Sequence, residues 1–143
     1  MPLLNYTTQV PAAKTVHEIM GNLVSHGASA ILLNYDEQGQ IESLSFNVRT
    51  PKGEVSIRLP IDPEAVLKVL SKGNVPRRYR TREQAVRIAW RIVKDWIEAQ
   101  MAILETEMVK MEQIFLPYII TPSGHTLYEY IAERRFLLEE GAS

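Results

Sequence analysis

The longest run of regularly spaced apolar residues extends from Thr81 to Phe115. Apolar side chains recur there every three or four residues, the spacing that places them on one face of an α-helix. The capping-box sequence TREQ at Thr81 predicts that the helix begins there. An unbroken helix would measure on the order of 50 Å, more than the diameter of a domain of this size. We therefore expect either a break near Glu105 to Glu107, with Thr106 as a new N-cap, or a far end packed against another subunit.

A shorter amphipathic pattern predicts a helix near the amino terminus. Apolar residues at positions 16, 19, 20, 23 and 24 fall on one helical face. The capping-box sequence Thr15 to Glu18 predicts its start, and Gly27 its end, because glycine adopts the left-handed conformation that terminates helices. Before this helix, the alternation from Leu3 to Val10 predicts an edge strand that ends at Pro11.

Three further segments predict the strands of an antiparallel meander. Ser29 to Tyr35 is apolar on both faces, which suits a strand covered on both sides or one near an oligomer contact. Ile41 to Arg49 and Val55 to Leu59 alternate between apolar and polar residues, so each should have one buried and one solvated face. The turn Thr50 to Gly53 joins these two strands as a hairpin.

Two shorter helices complete the predicted elements. Asp62 is an N-cap followed by a proline at the first helical position, and Gly73 ends this helix. Pro117 ends the long helical segment. A third capping box begins at Thr126 and predicts a last helix that runs to about Leu138.

Together these elements predict a single α+β domain over residues 1–143, with a helix-and-sheet part at 1–73 and a helical part at 81–138. The small antiparallel sheet of three to four strands has one apolar face covered by the first two helices, and a long C-terminal helix follows. A chain of 143 residues with 45% hydrophobic content is long enough for one ordinary core. Surplus apolar width on the long helix, together with the doubly apolar first strand, predicts a homo-oligomer.

Composition and motifs exclude several classes of function. The chain has no cysteine, which excludes disulfides, thiolate metal sites and cysteine nucleophiles. It also lacks a secretory signal pattern and the run of roughly 18 apolar residues that a membrane span needs, so we expect a cytoplasmic protein without a membrane partner. His17, His26 and His125 do not have metal-site spacing. Without a nucleophile elbow, GxGxxG or P-loop pattern, we expect neither an enzyme nor a bound cofactor.

Positive charge is concentrated where a linker leads into the long helix, although the net charge of the chain is only −1. Guanidinium groups bind phosphate oxygens bidentately, and a tyrosine beside them stacks on a base. The candidate phosphate-binding residues of this segment are Arg77, Arg78, Tyr79, Arg80, Arg82, Arg87 and Arg91. The alternative is a solvated helix start with an i,i+4 ladder of ion pairs. The residues of that ladder are Glu83, Arg87, Arg91 and Asp95.

A second polar surface is predicted on the solvated face of the sheet. Its side chains are Ser43, Ser45, Asn47, Arg49, Ser56 and Arg58. Arg49 and Arg58 are candidate ligands for a nucleotide or a nucleic-acid backbone, but one solvated face is also ordinary for an antiparallel sheet. The helix-strand-strand-strand-helix order resembles that of double-stranded-RNA-binding domains, although the second helix begins Asp-Pro-Glu instead of with a lysine cluster.

Five stretches are distinctive beyond their periodicity: AWRIVKDWIEAQ, FLPYI and GHTLYE in the second half, and NYTTQVPAAKT and AILLNYD in the first. In these stretches the chain resembles a family of small uncharacterised proteins carried by bacteriophages and prophages, and the likeness spans nearly the whole chain. The resemblance implies a viral or mobile-element setting inside a bacterial host and supplies no catalytic residues. It favours binding proteins in replication, in recombination or in countering host defence.

We therefore expect a phage-type, non-enzymatic binding protein that contacts nucleic-acid phosphates through the Arg-rich linker and helix start. One alternative is an anti-defence binder of a small nucleotide signal or of a host defence protein, with pockets between subunits. A structural or assembly subunit is the other alternative.

Overall fold

A three-stranded antiparallel sheet organises the first half of the chain in the computed structural model, which describes residues 3–134. The strands are β1 (Ala28–Tyr35), β2 (Ile41–Thr50) and β3 (Gly53–Arg58), in the order β1-β2-β3. The helices are α1 (Ala12–Ser25), α2 (Pro63–Lys72), α3 (Arg82–Glu105), α4 (Met111–Ile114) and α5 (Leu127–Glu133), with 3₁₀ turns at Arg77–Tyr79 and Leu116–Tyr118. The predicted α+β class and the antiparallel meander are confirmed.

Phe46 lies at the centre of the sheet, where it pairs with Ile31 on β1 and with Ile57 on β3. Because side chains alternate along a strand, Leu44 and Val48 share the face of Phe46. All three of these β2 side chains are buried. The inward face predicted for β2 is therefore correct.

Two helices, α1 and α3, cover the apolar face of the sheet. Ile19 and Leu23 of α1 and Trp90 and Ile97 of α3 are completely buried in the same cluster as Phe46. The helix α2 packs against α3, so the prediction that the first two helices cover the sheet is wrong. The reason is that the apolar side chains of α2 pack in a separate cluster with the first half of α3 and so do not cover the sheet.

The first half of α3 is buried on two sides. Ala85 and Ile88 meet Leu70 of α2 in a second apolar cluster, while Trp90 belongs to the cluster under the sheet. Among the large apolar side chains of α3, Ile103 alone is exposed, with 39% of its surface accessible. The apolar width of α3 is thus used within the chain, and it gives no support to the predicted homo-oligomer.

The long helical segment breaks at the predicted place. The helix α3 ends at Glu105, and Glu107 adopts a left-handed conformation with φ of 59°. The Thr106 hydroxyl donates a hydrogen bond of 2.6 Å to the Ile103 carbonyl, so Thr106 caps the end of α3. Its predicted role as a new N-cap is wrong, because α4 begins only after Lys110.

The chain beyond the break returns to the core. Phe115 is completely buried and makes edge-to-face contacts with Phe46 and Trp96, each with ring centroids 5.5 Å apart. Such aromatic pairs add to the free energy gained by burial alone. The break therefore lets the segment after α3 pack against the same core instead of extending away from it.

The segment before α1 is not a strand, so the predicted edge strand from Leu3 to Val10 is wrong. Residues 4–7 form turns, with Tyr6 N–H donating to the Leu3 carbonyl and Asn5 at φ of 65°. The start predicted for α1 is also wrong, because the helix begins at Ala12. Thr15, the predicted cap, lies inside the helix and is completely buried.

The third capping box is confirmed. The Glu129 N–H donates to the Thr126 hydroxyl at 3.2 Å, and the Thr126 N–H donates to the Glu129 carboxylate at 2.7 Å. The described part of α5 runs from Leu127 to Glu133, and the predicted end at Leu138 lies outside the described residues.

A hydrogen-bonded pair joins the ends of α1 and α3. His26 Nε2 lies 3.1 Å from the Glu105 carboxylate, and Nδ1 lies 2.8 Å from the Asn22 carbonyl oxygen. The hydrogen bond to the Asn22 carbonyl, followed by that to Glu105, raises the pKa of His26 above its ordinary value. Protonated His26 therefore holds the two helix ends together more strongly than neutral His26 does.

We expect His26→Gln to destabilise the protein at about pH 5.5 but not above about pH 8. A raised pKa in the folded state gives stability that is complete below the unfolded pKa and is lost as pH rises through the folded pKa. Because Glu105 is exposed, the effect should be below about 1 kcal/mol. Urea unfolding across this pH range measures it, with exposed His17→Gln on the same helix as the control. A pH-independent difference between His26→Gln and the wild type would contradict the assignment.

Candidate phosphate-binding surface

The basic linker between α2 and α3 forms a short 3₁₀ turn. Tyr79 N–H donates to the Pro76 carbonyl at 3.0 Å, and Arg80 N–H donates to the Arg77 carbonyl at 2.9 Å. Val75, just before the turn, is buried in the cluster between α2 and α3. The turn is thus anchored to the core and presents its arginines from a fixed backbone.

Arg77 and Arg78 are the exposed arginines of this turn. The Arg78 guanidinium carbon lies 4.6 Å from the centroid of the Tyr79 ring, and its Nη2 donates to the Tyr79 hydroxyl at 3.3 Å. Within residues 3–134, neither arginine forms an ion pair with a carboxylate. Both guanidinium groups therefore keep donors for an external anion.

Tyr79 supports Arg78 and is itself half-buried. Its ring makes an edge-to-face contact with Tyr6, with centroids 5.5 Å apart, and one of its faces carries the Arg78 guanidinium. A base that approaches this face meets the planar guanidinium of Arg78 before the ring. The Arg78 guanidinium therefore covers this face of Tyr79, on which a base was predicted to stack.

Arg80 and Arg82 bind within the chain. Arg80 donates to the Val75 carbonyl at 2.7 Å and to the Gly73 carbonyl at 3.4 Å, which closes the linker. Arg82 forms an ion pair with Glu64 in the first turn of α2. These two arginines hold α2, the turn and the start of α3 together.

Gln84 is a buried junction that the sequence did not reveal. Its side-chain amide donates to the carbonyls of Tyr6 at 2.9 Å and Thr8 at 2.8 Å. Its Oε1 accepts hydrogen bonds from Nε and Nη2 of Arg87, at 3.0 and 2.7 Å. Thr81 does cap α3, but the reciprocal bond of the predicted capping box is absent because the Gln84 side chain is used elsewhere. Arg87 therefore orients the amide that anchors the amino-terminal segment.

Arg91 links α3 to α1. Its Nη1 lies 2.7 Å from the Glu18 carboxylate and 3.4 Å from the Thr15 hydroxyl, with 18% of the side chain exposed. The predicted ion-pair ladder along α3 does not form. Arg87 bonds to Gln84, Arg91 bonds to Glu18, and the carboxylate of the ladder's last residue, Asp95, accepts a hydrogen bond from Asn5. Arg91 and Asp95 contact neighbouring elements because α3 is packed on two sides, whereas Arg87 bonds within α3.

The two candidate arginines of the sheet, Arg49 and Arg58, differ in their contacts. Arg58 donates to the Gly124 carbonyl at 3.1 Å and lies 3.8 Å from Glu129, so it fastens the loop before α5. Arg49 is exposed near the end of β2, opposite Glu54 on β3. The polar groups of this face also satisfy one another, as in the 2.6 Å bond from Ser56 to Asn47. Polar side chains on this face of the sheet thus form hydrogen bonds with other groups of the protein.

Lys68 and Lys72 add positive charge in the helix just before the turn, and sequence reasoning missed them. Both are exposed in α2, one helical turn apart, and neither forms an ion pair within the described residues. Their i,i+4 spacing just before the arginines was the available signal. We call Lys68, Lys72, Arg77 and Arg78 the basic corner.

A cavity of about 790 Å³ lies between the starts of α1 and α3, the β1–β2 turn and the start of α2. Arg82 and Arg87 both contribute to its lining, and so do Asp36, Glu42 and Glu83. Carboxylates therefore outnumber guanidinium groups in this wall. A ligand here would have to carry little negative charge overall.

Comparisons with protein-family models, curated proteins and solved structures gave no match. Within residues 3–134, no group of three or more histidine, aspartate and glutamate side chains is placed to hold a metal ion. No helix in the described part of the chain is both long enough and apolar enough to cross a membrane.

We expect Gln84→Glu to destabilise the protein by about 1–3 kcal/mol, because a carboxylate cannot donate to two buried carbonyls. Hydrogen exchange should rise in residues 3–10, which Gln84 anchors. Urea unfolding and hydrogen-exchange mass spectrometry provide the two measurements. Gln100→Glu, on the same helix but without a hydrogen bond to the described residues, is the matched control. Equal effects of the two substitutions would argue against the junction.

Proposed function

We propose that this protein is a non-enzymatic nucleic-acid-binding protein that contacts backbone phosphates through the basic corner. The observation that carries the proposal is a difference among the arginines. Arg77 and Arg78 are exposed on an anchored turn without a carboxylate partner in residues 3–134. The other arginines at the start of α3 donate to groups of the protein itself.

Local charge, rather than net charge, drives this binding. The chain as a whole carries a formal charge of −1, so the part outside the basic corner is net acidic. Nucleic acid is then attracted only when the corner faces it, and the attraction is screened within about 10 Å at 0.1 M salt. Binding of this kind is salt-sensitive and orients the protein on the phosphate backbone.

Sequence preference should be slight. Phosphate contacts position a protein without reading bases, and stacking on a guanidinium plane tolerates any base. The resemblance to phage proteins adds a viral or mobile-element setting to the proposal. A sequence-independent binder suits replication or recombination, where many sites must be engaged.

We expect the double variant Arg77→Ala, Arg78→Ala to lower the slope of log K against log salt by about 2, since each duplex phosphate contact contributes about 0.9. Fluorescence anisotropy with labelled single- and double-stranded oligonucleotides measures the slope. The control is Arg49→Ala with Lys52→Ala, which removes the same charge from exposed positions at the β2–β3 hairpin. Equal losses in the two double variants, or no binding by the wild type at low salt, would refute the proposal.

A second candidate function is the binding of a small ligand with at most one phosphate group, and the cavity that Arg82 and Arg87 help to line favours it. The cavity lies within one chain, whereas the sequence led us to expect pockets between subunits. Because three carboxylates share the lining, a ligand with a single phosphate fits better than a polyphosphate. A host-protein partner or an assembly role would be favoured if neither nucleic acid nor nucleotide binds.

We expect a bound nucleotide at 100 times its Kd to stabilise the protein by about 2.7 kcal/mol. Thermal unfolding with a panel of nucleoside monophosphates measures this shift. Ala13→Trp, at an exposed position in the cavity wall, should abolish it by filling the space without removing a charge. Ala102→Trp, at an exposed position of α3, is the control. Stabilisation that persists in Ala13→Trp would place the ligand elsewhere.

A further inference from the structure

The two edges of the sheet differ in how they are covered. At the β3 edge, Ile119 bridges to Ile57, and the Ile120 N–H donates to the Ser56 carbonyl at 2.8 Å. At the other edge, β1 pairs only with β2 among the described residues. The outer edge of β1 therefore has backbone donors and acceptors that no described strand uses.

The strand β1 lacks the charged residues and the proline that often protect an edge. Ala28–Tyr35 contains no lysine, arginine, aspartate, glutamate or proline. Its register with β2 is irregular at both ends, between Ala28 and Ala30 and between Asn34 and Tyr35, but regular between them. An uncharged edge with a regular central segment, here Ala30 to Asn34, is a template for another strand.

Leu32 stands at the centre of this regular segment. It pairs with Ser45 on the outer face of the sheet, and 59% of its surface is exposed. Ala30 and Asn34 lie on the same face, two residues to either side, and both are exposed. The segment is thus arranged evenly about a large apolar side chain that its own sheet leaves uncovered.

The geometry points to a homodimer in which β1 pairs antiparallel with β1 of a second copy, about a two-fold axis at Leu32. The two sheets join into one of six strands. In this register Leu32 lies opposite the partner's Leu32, and Ala30 lies opposite the partner's Asn34. On the core side, Ile31 lies opposite the partner's Leu33, so the apolar layer continues across the axis.

A second copy fits this edge better than a charged peptide does. Like charges directly opposite each other destabilise a strand pair, and an uncharged strand that meets itself has none. A charged peptide would find no opposite charge along Ala28–Tyr35. About the two-fold axis, Leu32 of each copy also covers Leu32 of the other, so both exposed leucines are buried by the same contact.

The first test is Leu32→Lys, with the mass of the full-length protein measured by analytical ultracentrifugation over a range of concentrations. The wild type should be a dimer, and the substitution should raise the dimer dissociation constant about tenfold or more, because it places two positive charges on the axis. Since Leu32 is exposed, the monomer should keep its circular-dichroism spectrum. A monomeric wild type would overturn the proposal.

The second test is specific for the register. Ala30→Lys with Asn34→Glu places opposite charges across the axis in both pairs and should preserve the dimer. Ala30→Lys with Asn34→Lys places like charges there and should dissociate it. Equal behaviour of these two variants would overturn the register. Hydrogen exchange of the β1 amides should slow as the dimer forms. Protection that does not depend on protein concentration would mean that another segment of the same chain covers the edge, and it would overturn the pairing.

Discussion

The burial of α3 on two sides is the constraint on which the rest of the structure depends. Trp90 and Ile97 pack under the sheet with α1, while Ala85 and Ile88 pack against α2. A helix with apolar residues around so much of its circumference needs partners on both sides to remove that surface from water. The position of α2, the break at Glu105 and the return of the chain to the core all follow from placing these partners around one helix.

The same constraint decides which arginines remain available. Side chains at the edges of a helix packed on two sides lie beside neighbouring elements, so Arg91 meets Glu18 of α1. Arg87 bonds to Gln84, the residue of α3 that anchors the amino-terminal segment. Removing one partner of such a half-buried pair would leave a polar group unsatisfied. The arginines of α3 therefore stabilise the fold. The accessible arginines, Arg77 and Arg78, lie in the turn before the helix. This division explains why a cluster that looks continuous in sequence becomes two groups of side chains in space.

Sequence patterns predicted the elements well where the structure depends only on residues close together in the chain. The alternation around Phe46, the cap at Asp62 and the box at Thr126 belong to this class. The predictions were wrong where contacts between residues far apart in the sequence determine the local structure. Thr15 has the sequence of a cap, but α1 continues through it, since that position is buried against Arg91 of α3. Gln84 bonds to a residue 78 positions away, and no local spacing could indicate that contact.

The two proposed surfaces use different parts of the molecule, and their combination has a physical consequence. The basic corner belongs to α2 and the turn, which pack on a different side of α3 from the sheet, whereas the dimer edge is the outer edge of β1, which no described strand uses. Pairing through β1 therefore leaves both basic corners accessible. Four positive charges give only weak binding at physiological salt, because each contact releases few counterions. Two corners in one particle make the second contact intramolecular and raise the overall affinity without any new side chain, provided that one nucleic acid can reach both. An uncharged edge that brings two copies together would thus compensate for the small size of the basic corner.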